Sequence, residues 1–195
     1  MVGRVIVITG TPSVGKTTVA RLLSLRLNAV YVNLTEFAVR ENLVVGKDEA
    51  RGSLIVDEGS VSARIREIVN SAGEKDVIID GHYAPSVVPN EVATHVFVLR
   101  RDPEELQKLM RKAGFSDKKL WENLAAEILD VCLVDALNAY DKEKICELDV
   151  SGKDVEVVVA EILEAIKGLR KCRMGVVDWL GKLEMKGKLD EFFKI

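Results

Sequence analysis

The stretch RVIVITGTPSVGKT, residues 4–17, joins a β-branched run at 4–9 to the pattern G-x-x-x-x-G-K-[ST], and helix-forming residues 17–27 follow at once. Strand, glycine-containing loop and helix in that order specify a phosphate-binding P-loop. Backbone N–H groups must curl around phosphate oxygens there, which bulky side chains and negative φ values would prevent, so Gly10 and Gly15 supply the freedom. Lys16 places a flexible point charge against terminal phosphates, and Thr17 offers a hydroxyl to Mg²⁺. Val14, inside the loop, is expected among the nucleotide contacts. The helix that starts here aims its positive dipole end at the same anion. A chance match in a glycine-containing turn is the rival reading, and the ordered strand, loop and helix argue against it.

Short β-branched runs alternate with helical stretches further along, at 29–32, 76–80 (DVIID), 94–99 (THVFVL) and 145–150 (ICELDV). Such alternation predicts an α/β fold with a parallel sheet covered by helices on both faces. Asp80 ends its strand directly after Val77-Ile78-Ile79. An acidic residue at the carboxyl end of a buried parallel strand lies beside the P-loop in this architecture, where it holds Mg²⁺ through a coordinated water. The alternative for Asp80 is a cap on the following turn.

With 195 residues, 48% of them hydrophobic, the chain suffices for one well-buried domain. A formal net charge of −3 argues against a broad basic face for gripping nucleic acid. No long uncharged apolar run exists to span a membrane. The first apolar run is too short for a signal peptide and is used by the P-loop strand, so a cytoplasmic protein is expected. Cys132, Cys146 and Cys172 are odd in number and lack metal-ligand spacing. They read as small buried hydrophobes in a reducing compartment.

Two segments look like insertions between sheet elements. Residues 34–70 read as helical and charged, with apolar positions such as Phe37, Leu43, Leu54, Val61 and Ile65; in P-loop kinases such a segment holds the phosphate acceptor. Residues 100–123 carry the densest positive charge near a predicted strand end, in Arg100, Arg101, Arg111, Lys112, Lys118 and Lys119. Cations on a closing lid neutralise oxygens in a phosphoryl-transfer transition state. For any single one of them a solvated helix face is the bland alternative. The turn at 151–153 flanks the adenine ring in P-loop kinases, which puts Lys153 among the ATP candidates. Residues 169–195 form a tail with Val176, Val177, Leu180 and Leu183 at helical spacing and Trp179 nearby. The tail is expected to pack on the domain as one or two extra helices, with a partner or RNA contact as the alternative.

GTPSVGKTT at 10–18, VIIDGH at 77–82, VFVLRRDPEEL at 96–106, GFSDKKLWEN at 114–123 and AEILDVCLVDAL at 126–137 resemble the adenylate kinase isoenzyme six family, called coilin-interacting nuclear ATPase in eukaryotes. The resemblance covers about residues 3–168. It implies a nucleoside-monophosphate-kinase fold over residues 1–168 with strand order 2-3-1-4-5, an acceptor insertion at about 34–70 and a lid at about 100–123. It also implies phosphoryl transfer between Mg²⁺-bound ATP and AMP, a slower ATPase, and a role in maturing the small ribosomal subunit. The partners implied are a basic ribosomal protein of the subunit platform and pre-rRNA. Nucleotide contacts carry over to Ser13, Gly15, Lys16, Thr17 and Thr18, with Asp80 and His82 as a Walker B pair.

Thr35, Glu36, Arg40 and Arg64 are the candidates to meet AMP, with Arg40 chosen for its phosphate. The chain departs from its relatives at Ser13, where many have glycine; serine fits if that position needs only a negative φ. In the lid, relatives commonly read Arg-Gly-Tyr where this chain has Ala113-Gly114-Phe115. Arg111 or Lys112 is expected to reach the ATP phosphates instead. Two readings of His82 stand. It orients or deprotonates a water near the γ-phosphate, titrating near neutrality, or it satisfies loop backbone. The resemblance favours the first.

Overall fold

The computed structural model describes residues 3–48 and 53–193, so residues 49–52 and the extreme ends of the chain lie outside the described residues. The chain opens with β1 (Val5–Gly10), α1 (Lys16–Leu27), β2 (Val30–Asn33) and α2 (Leu34–Arg40), then β3 (Val44–Asp48), β4 (Ser53–Val56) and α3 (Glu58–Ala72). It continues through β5 (Val77–Asp80), the one-turn α4 (Ala84–Val87), β6 (His95–Arg100), α5 (Pro103–Lys112), α6 (Asp117–Ile128) and α7 (Val131–Ala139). It closes with β7 (Ile145–Asp149), α8 (Val155–Ile166), α9 (Trp179–Met185) and α10 (Leu189–Phe192).

Five parallel strands form one sheet in the order β2-β5-β1-β6-β7. Counting only these five strands along the chain, the order is 2-3-1-4-5. The period-two alternation of strands divides the core. Val5, Val7, Val77, Ile79, Val96 and Val98 pack with α2, α3 and α7 on one face, while Ile6, Ile8, Ile78, Phe97 and Leu99 pack with α1 and α8 on the other. Every residue of β1 is buried, as befits a central strand covered on both sides. After β1 the chain turns to the β5 side and later returns to the β6 side, so the direction of winding switches at the carboxyl end of β1. Ligands of open α/β sheets bind at such a switch point, and the P-loop lies there.

The segment 34–70 is not wholly helical. Between α2 and α3 it forms an antiparallel hairpin that pairs Val44 with Val56 and Lys47 with Leu54. The β-branched residues Val44, Val45, Ile55 and Val56 favour extended backbone, and Asn33 and Asp57 cap the helices to either side.

A third apolar cluster lies beyond the sheet. Leu106 and Met110 of α5, with Leu120, Leu124 and Ile128 of α6, bury Trp179, Leu183 and Phe192 of the tail. Lys182 pairs with Asp102 at 2.5 Å, and Lys186 and Lys188 pair with Glu104, which pulls the Glu104 carboxyl down to about 2. The reading of all three cysteines as free hydrophobes is corrected: Cys146 of β7 and Cys172 of the tail form a disulfide with Cα atoms 4.7 Å apart. Cys132 is the free thiol. The spacing gave no hint of the pair, because only the folding back of the tail brings Cys172 to β7. Among the described residues no helix is long and apolar enough to cross a membrane.

Candidate active site

β1 ends at Gly10 with φ 138°, and a Cβ there would strike the Leu99 carbonyl of β6. Gly15 has φ 113° and opens α1. Ser13 overturns the expectation of a negative φ: it sits at φ 67°, in the left-handed region, at a cost of about 1 kcal/mol that glycine would avoid. Loop hydrogen bonds hold it there, the Val14 N–H donating to the Thr11 carbonyl at 3.3 Å and the Val19 N–H to the Gly15 carbonyl at 3.1 Å. Thr18 lies exposed on α1.

Lys16 is buried and folds back to donate to the Thr11 carbonyl at 2.9 Å. Burial lowers its pKa, against the opposing pull of Asp80, Cys132 and Glu127. Asp80 is 1% exposed, and three donors converge on its Oδ2: Thr17 Oγ1 at 2.7 Å, Asn33 Nδ2 at 2.9 Å and the Tyr31 hydroxyl at 3.0 Å. The hydroxyl of Thr17 and the carboxylate of Asp80 are hard oxygen donors side by side, the set that suits Mg²⁺. Tyr31 and Asn33 had been missed as site residues. Their signal is the i, i+2 spacing on β2, whose register places Asn33 opposite Asp80.

His82 follows Asp80 with a solvent-accessible ring, 5.3 Å from the Tyr83 ring and nearly perpendicular to it. The protein crowded around it, then the charges of Lys16 and Lys119, push its pKa down to about 4, with Asp80 opposing. The expected titration near neutrality is therefore corrected: in the ligand-free protein His82 is neutral at pH 7. A neutral imidazole can accept a hydrogen bond from water, but at this pKa it is a weak base.

The adjacent arginines at 100 and 101 have opposite fates: Arg100 closes β6 and Arg101 lies just beyond the strand. Arg100 is buried at the end of β6, held by Glu127 at 2.9 Å, Glu147 at 2.6 Å and Asp130 at 2.5 Å. Arg101 reaches the P-loop, its Nε donating to the Val14 carbonyl at 3.1 Å, and pairs with Glu105 at 2.9 Å. Glu127, also missed, is 1% exposed and accepts from the Thr11 hydroxyl, Arg100, the Arg101 N–H at 3.1 Å and Trp179 Nε1 at 3.0 Å. It ties the P-loop, the end of β6 and the tail together.

Arg111 and Lys112 lie exposed at the far end of α5, about 12 Å of helix rise from its start beside Arg101. The structure does not bring them to the P-loop. The charge of Lys119, on α6, is felt at His82. Lys153 binds Glu161 at 2.8 Å, and the Gly152 N–H donates to Glu105 at 3.2 Å, so this turn stands next to Arg101. Between residues 34 and 70, Glu41 gathers Arg40 at 3.3 Å and Arg64 at 2.9 Å, and Thr35 is exposed at the start of α2.

Residues 6–130 match the AAA domain family. Proteins named "Putative adenylate kinase" from Methanocaldococcus jannaschii and Pyrococcus furiosus are 41% and 39% identical over 91% and 90% of this chain, covering 93% and 91% of their own lengths. Among solved structures, shikimate kinase from Acinetobacter baumannii covers 85% of this chain and 94% of its own at TM-score 0.60 and 15% identity. Thymidylate kinase from Candida albicans covers 85% and 92% at TM-score 0.56 and 17% identity. At these identities the solved structures speak for the fold, and the fold is that of the P-loop kinases. The match over the P-loop, the Asp80 strand and the α6 region, together with near full-length archaeal relatives, makes this chain a member of the AAA-domain family and of the archaeal group named "Putative adenylate kinase".

Proposed function

We propose that the chain is a nucleoside monophosphate kinase that transfers the terminal phosphoryl group of ATP to AMP, reversibly, giving two ADP. The observation that carries this reading is the convergence of Lys16, Thr17 and Asp80 at the P-loop, with a pair of cations, Arg40 and Arg64, gathered on the neighbouring insertion. Residues 34–70 then serve as the acceptor side, 100–123 as the lid and 169–195 as a tail that steadies the lid. Thr17 and, through water, Asp80 would hold Mg²⁺, which when bound neutralises phosphate oxygens. Lys16 leaves the Thr11 carbonyl for the β- and γ-phosphates, and Arg40 and Arg64 exchange Glu41 for the acceptor phosphate. Lys119 replaces Arg111 and Lys112 as the lid cation. An oxygen of the AMP phosphate attacks the γ-phosphorus, and the bond to the β-phosphate oxygen breaks.

A test is the rate of ADP formation from ATP with AMP, CMP, GMP, UMP or no acceptor, with a bisubstrate dinucleotide as competitor. The reading predicts that AMP raises the rate well above hydrolysis and that the dinucleotide competes with both substrates. Phosphate transfer to none of the four would defeat it.

The position of His82, neutral and beside Lys16, supports a second activity: hydrolysis of ATP with His82 orienting the water. In that reading the chain is an ATPase assembly factor that binds a basic protein of the small-subunit platform and contacts pre-rRNA, with AMP phosphorylation secondary. His82→Ala then lowers hydrolysis more than transfer to AMP, and a pull-down in ATP, ADP and nucleotide-free states at low salt retains a ribosomal protein or pre-rRNA. Retention of neither sinks it.

A further inference from the structure

The start of α2 is fastened to the Asp80 loop at three points. Asn33 makes the first, donating from Nδ2 to Asp80 Oδ2 at 2.9 Å while its Oδ1 accepts the Glu36 N–H at 3.0 Å and caps α2. The second is the Tyr83 hydroxyl, which donates to the Leu34 carbonyl at 2.8 Å. The third is steric: a Cβ on Gly81 would stand 2.7 Å from Leu34 Cδ1 and 2.9 Å from its Cβ, so glycine is what lets Leu34 lie this close. The β2–β5 register sets all three, because it places Asn33 and Asp80 opposite each other at their strand ends.

An asparagine amide carries a donor end and an acceptor end, and here each serves a different element. The donor end holds the carboxylate that faces Thr17, while the acceptor end holds the helix that carries Thr35 and Arg40. Tyr31 hydrogen-bonds for the first task, donating to the same Asp80 oxygen at 3.0 Å, while the cap on α2 is made by Asn33. Carboxylate rotation and helix movement are therefore linked through one side chain.

We infer that Asn33 is a positioning residue that fixes the Asp80 carboxylate relative to α2, so that divalent-ion binding at Asp80 and acceptor binding along α2 are energetically coupled. The inference rests on the phosphoryl-transfer reading above. It assigns Asn33 no contact with the reacting atoms. It concerns how the two halves of the site sense each other, since a ligand that shifts one of two linked elements changes the affinity of the other by a reciprocal factor.

The test uses Asn33→Ser, which keeps a good capping oxygen and deletes the donor to Asp80, and Tyr31→Phe, which deletes a donor to the same oxygen and leaves the cap. Thermal melting is recorded with ATP across a Mg²⁺ titration and again with a chelator. Both variants should melt near wild type without ligand and gain as much from ATP in chelator, yet need several-fold more Mg²⁺ for half of the full stabilisation. AMP binding is then measured by calorimetry with and without a Mg²⁺-bound non-hydrolysable ATP analogue. Its dependence on the analogue should shrink several-fold in Asn33→Ser and persist in Tyr31→Phe. Asn33→Thr, which also caps, serves if Asn33→Ser does not fold. An unchanged Mg²⁺ requirement in the Asn33 variant, or an unchanged AMP dependence there, overturns the inference. Wild-type protein that shows no Mg²⁺-dependent response to ATP overturns the phosphoryl-transfer reading itself, a failure seen before any variant is made.

Discussion

The floor of the site and the α5–α6 pair above it are held in place by different means. At the floor, Asn33 and Asp80 stand at strand ends, where sheet register sets them opposite each other with Ile8 beside Asp80 on the other edge, and Thr17 meets them from the first turn of α1, which the P-loop joins to β1. The α5–α6 pair is positioned instead by side chains from the tail, through Trp179 on Glu127, Lys182 on Asp102, and Lys186 and Lys188 on Glu104. Backbone pairing fixes the first region whatever the surface charges do. The second depends on a buried ring and three ion pairs, each with a partly exposed lysine. The proposed phosphoryl transfer would draw on this asymmetry, with a rigid phosphate cradle and an α5–α6 pair whose docking can be adjusted.

Glu127 is where the two regions meet, so its removal should have the largest effect. Glu127→Ala leaves buried Arg100 short of a partner and strips Thr11 and Trp179 of their acceptor, and should cost about 3–5 kcal/mol of stability by denaturant unfolding. A loss below about 1 kcal/mol would mean that Glu147 and Asp130 suffice for Arg100 and that the two regions are independent.

Lys16→Ala attacks the floor alone. ATP turnover should fall by roughly 10²–10³-fold, in line with the loss of one preorganised charge at a transition state. Lys16 is packed against the Thr11 carbonyl rather than free, so the variant should also lose about 1–3 kcal/mol of stability while keeping its fold, as read by circular dichroism and melting. Unchanged turnover would remove the P-loop from the chemistry.

Trp179→Phe addresses the docking of the tail on the α5–α6 pair, keeping an aromatic ring in the third cluster and deleting the N–H that donates to Glu127. The expected cost is about 1 kcal/mol, with turnover reduced less than in Lys16→Ala. A turnover loss as large as that of Lys16→Ala would show that tail docking is as necessary as the phosphate cradle.

The smallest effect is a pH dependence of tail docking. Lys186 and Lys188 lower the Glu104 pKa from 4.5 to about 2. The folded state thus holds Glu104 ionised where the unfolded chain would protonate it. This contribution is fully present above the unfolded value and is lost as pH falls from 4.5 towards 2. Trp179 emission in a Trp121→Phe background, followed through acid, should stay constant to about pH 5 and change below it; a change between about pH 7 and 5 would assign the sensitivity to other groups.

Much of the floor was legible in the sequence, because P-loop chemistry ties residue type to spacing and the buried strands read as β-branched runs. The predicted strands fall within a residue or so of β2, β5, β6 and β7. What could not be read depends on contacts far apart in sequence or on backbone the residue type does not betray. Ser13 gives no sign of its positive φ, and Arg100-Arg101 looks like one positive patch until β6 ends with Arg100 in the core and Arg101, just beyond it, reaches the P-loop. The Cys146–Cys172 pair and the docking of Trp179 exist only once the tail has folded back. The hairpin was missed for another reason: two short strands between capped helices lack the length that makes period two conspicuous.

The central claim, that the floor passes phosphate to an acceptor held on the α2–α3 side, is tested most directly with AMP labelled at its phosphorus. Wild-type protein is incubated with Mg²⁺ and ATP, and the nucleotides are separated over time. The account predicts label moving from AMP into ADP at a rate that saturates in both substrates and is lost in Lys16→Ala. Label remaining in AMP while ATP is consumed to ADP and inorganic phosphate would contradict it.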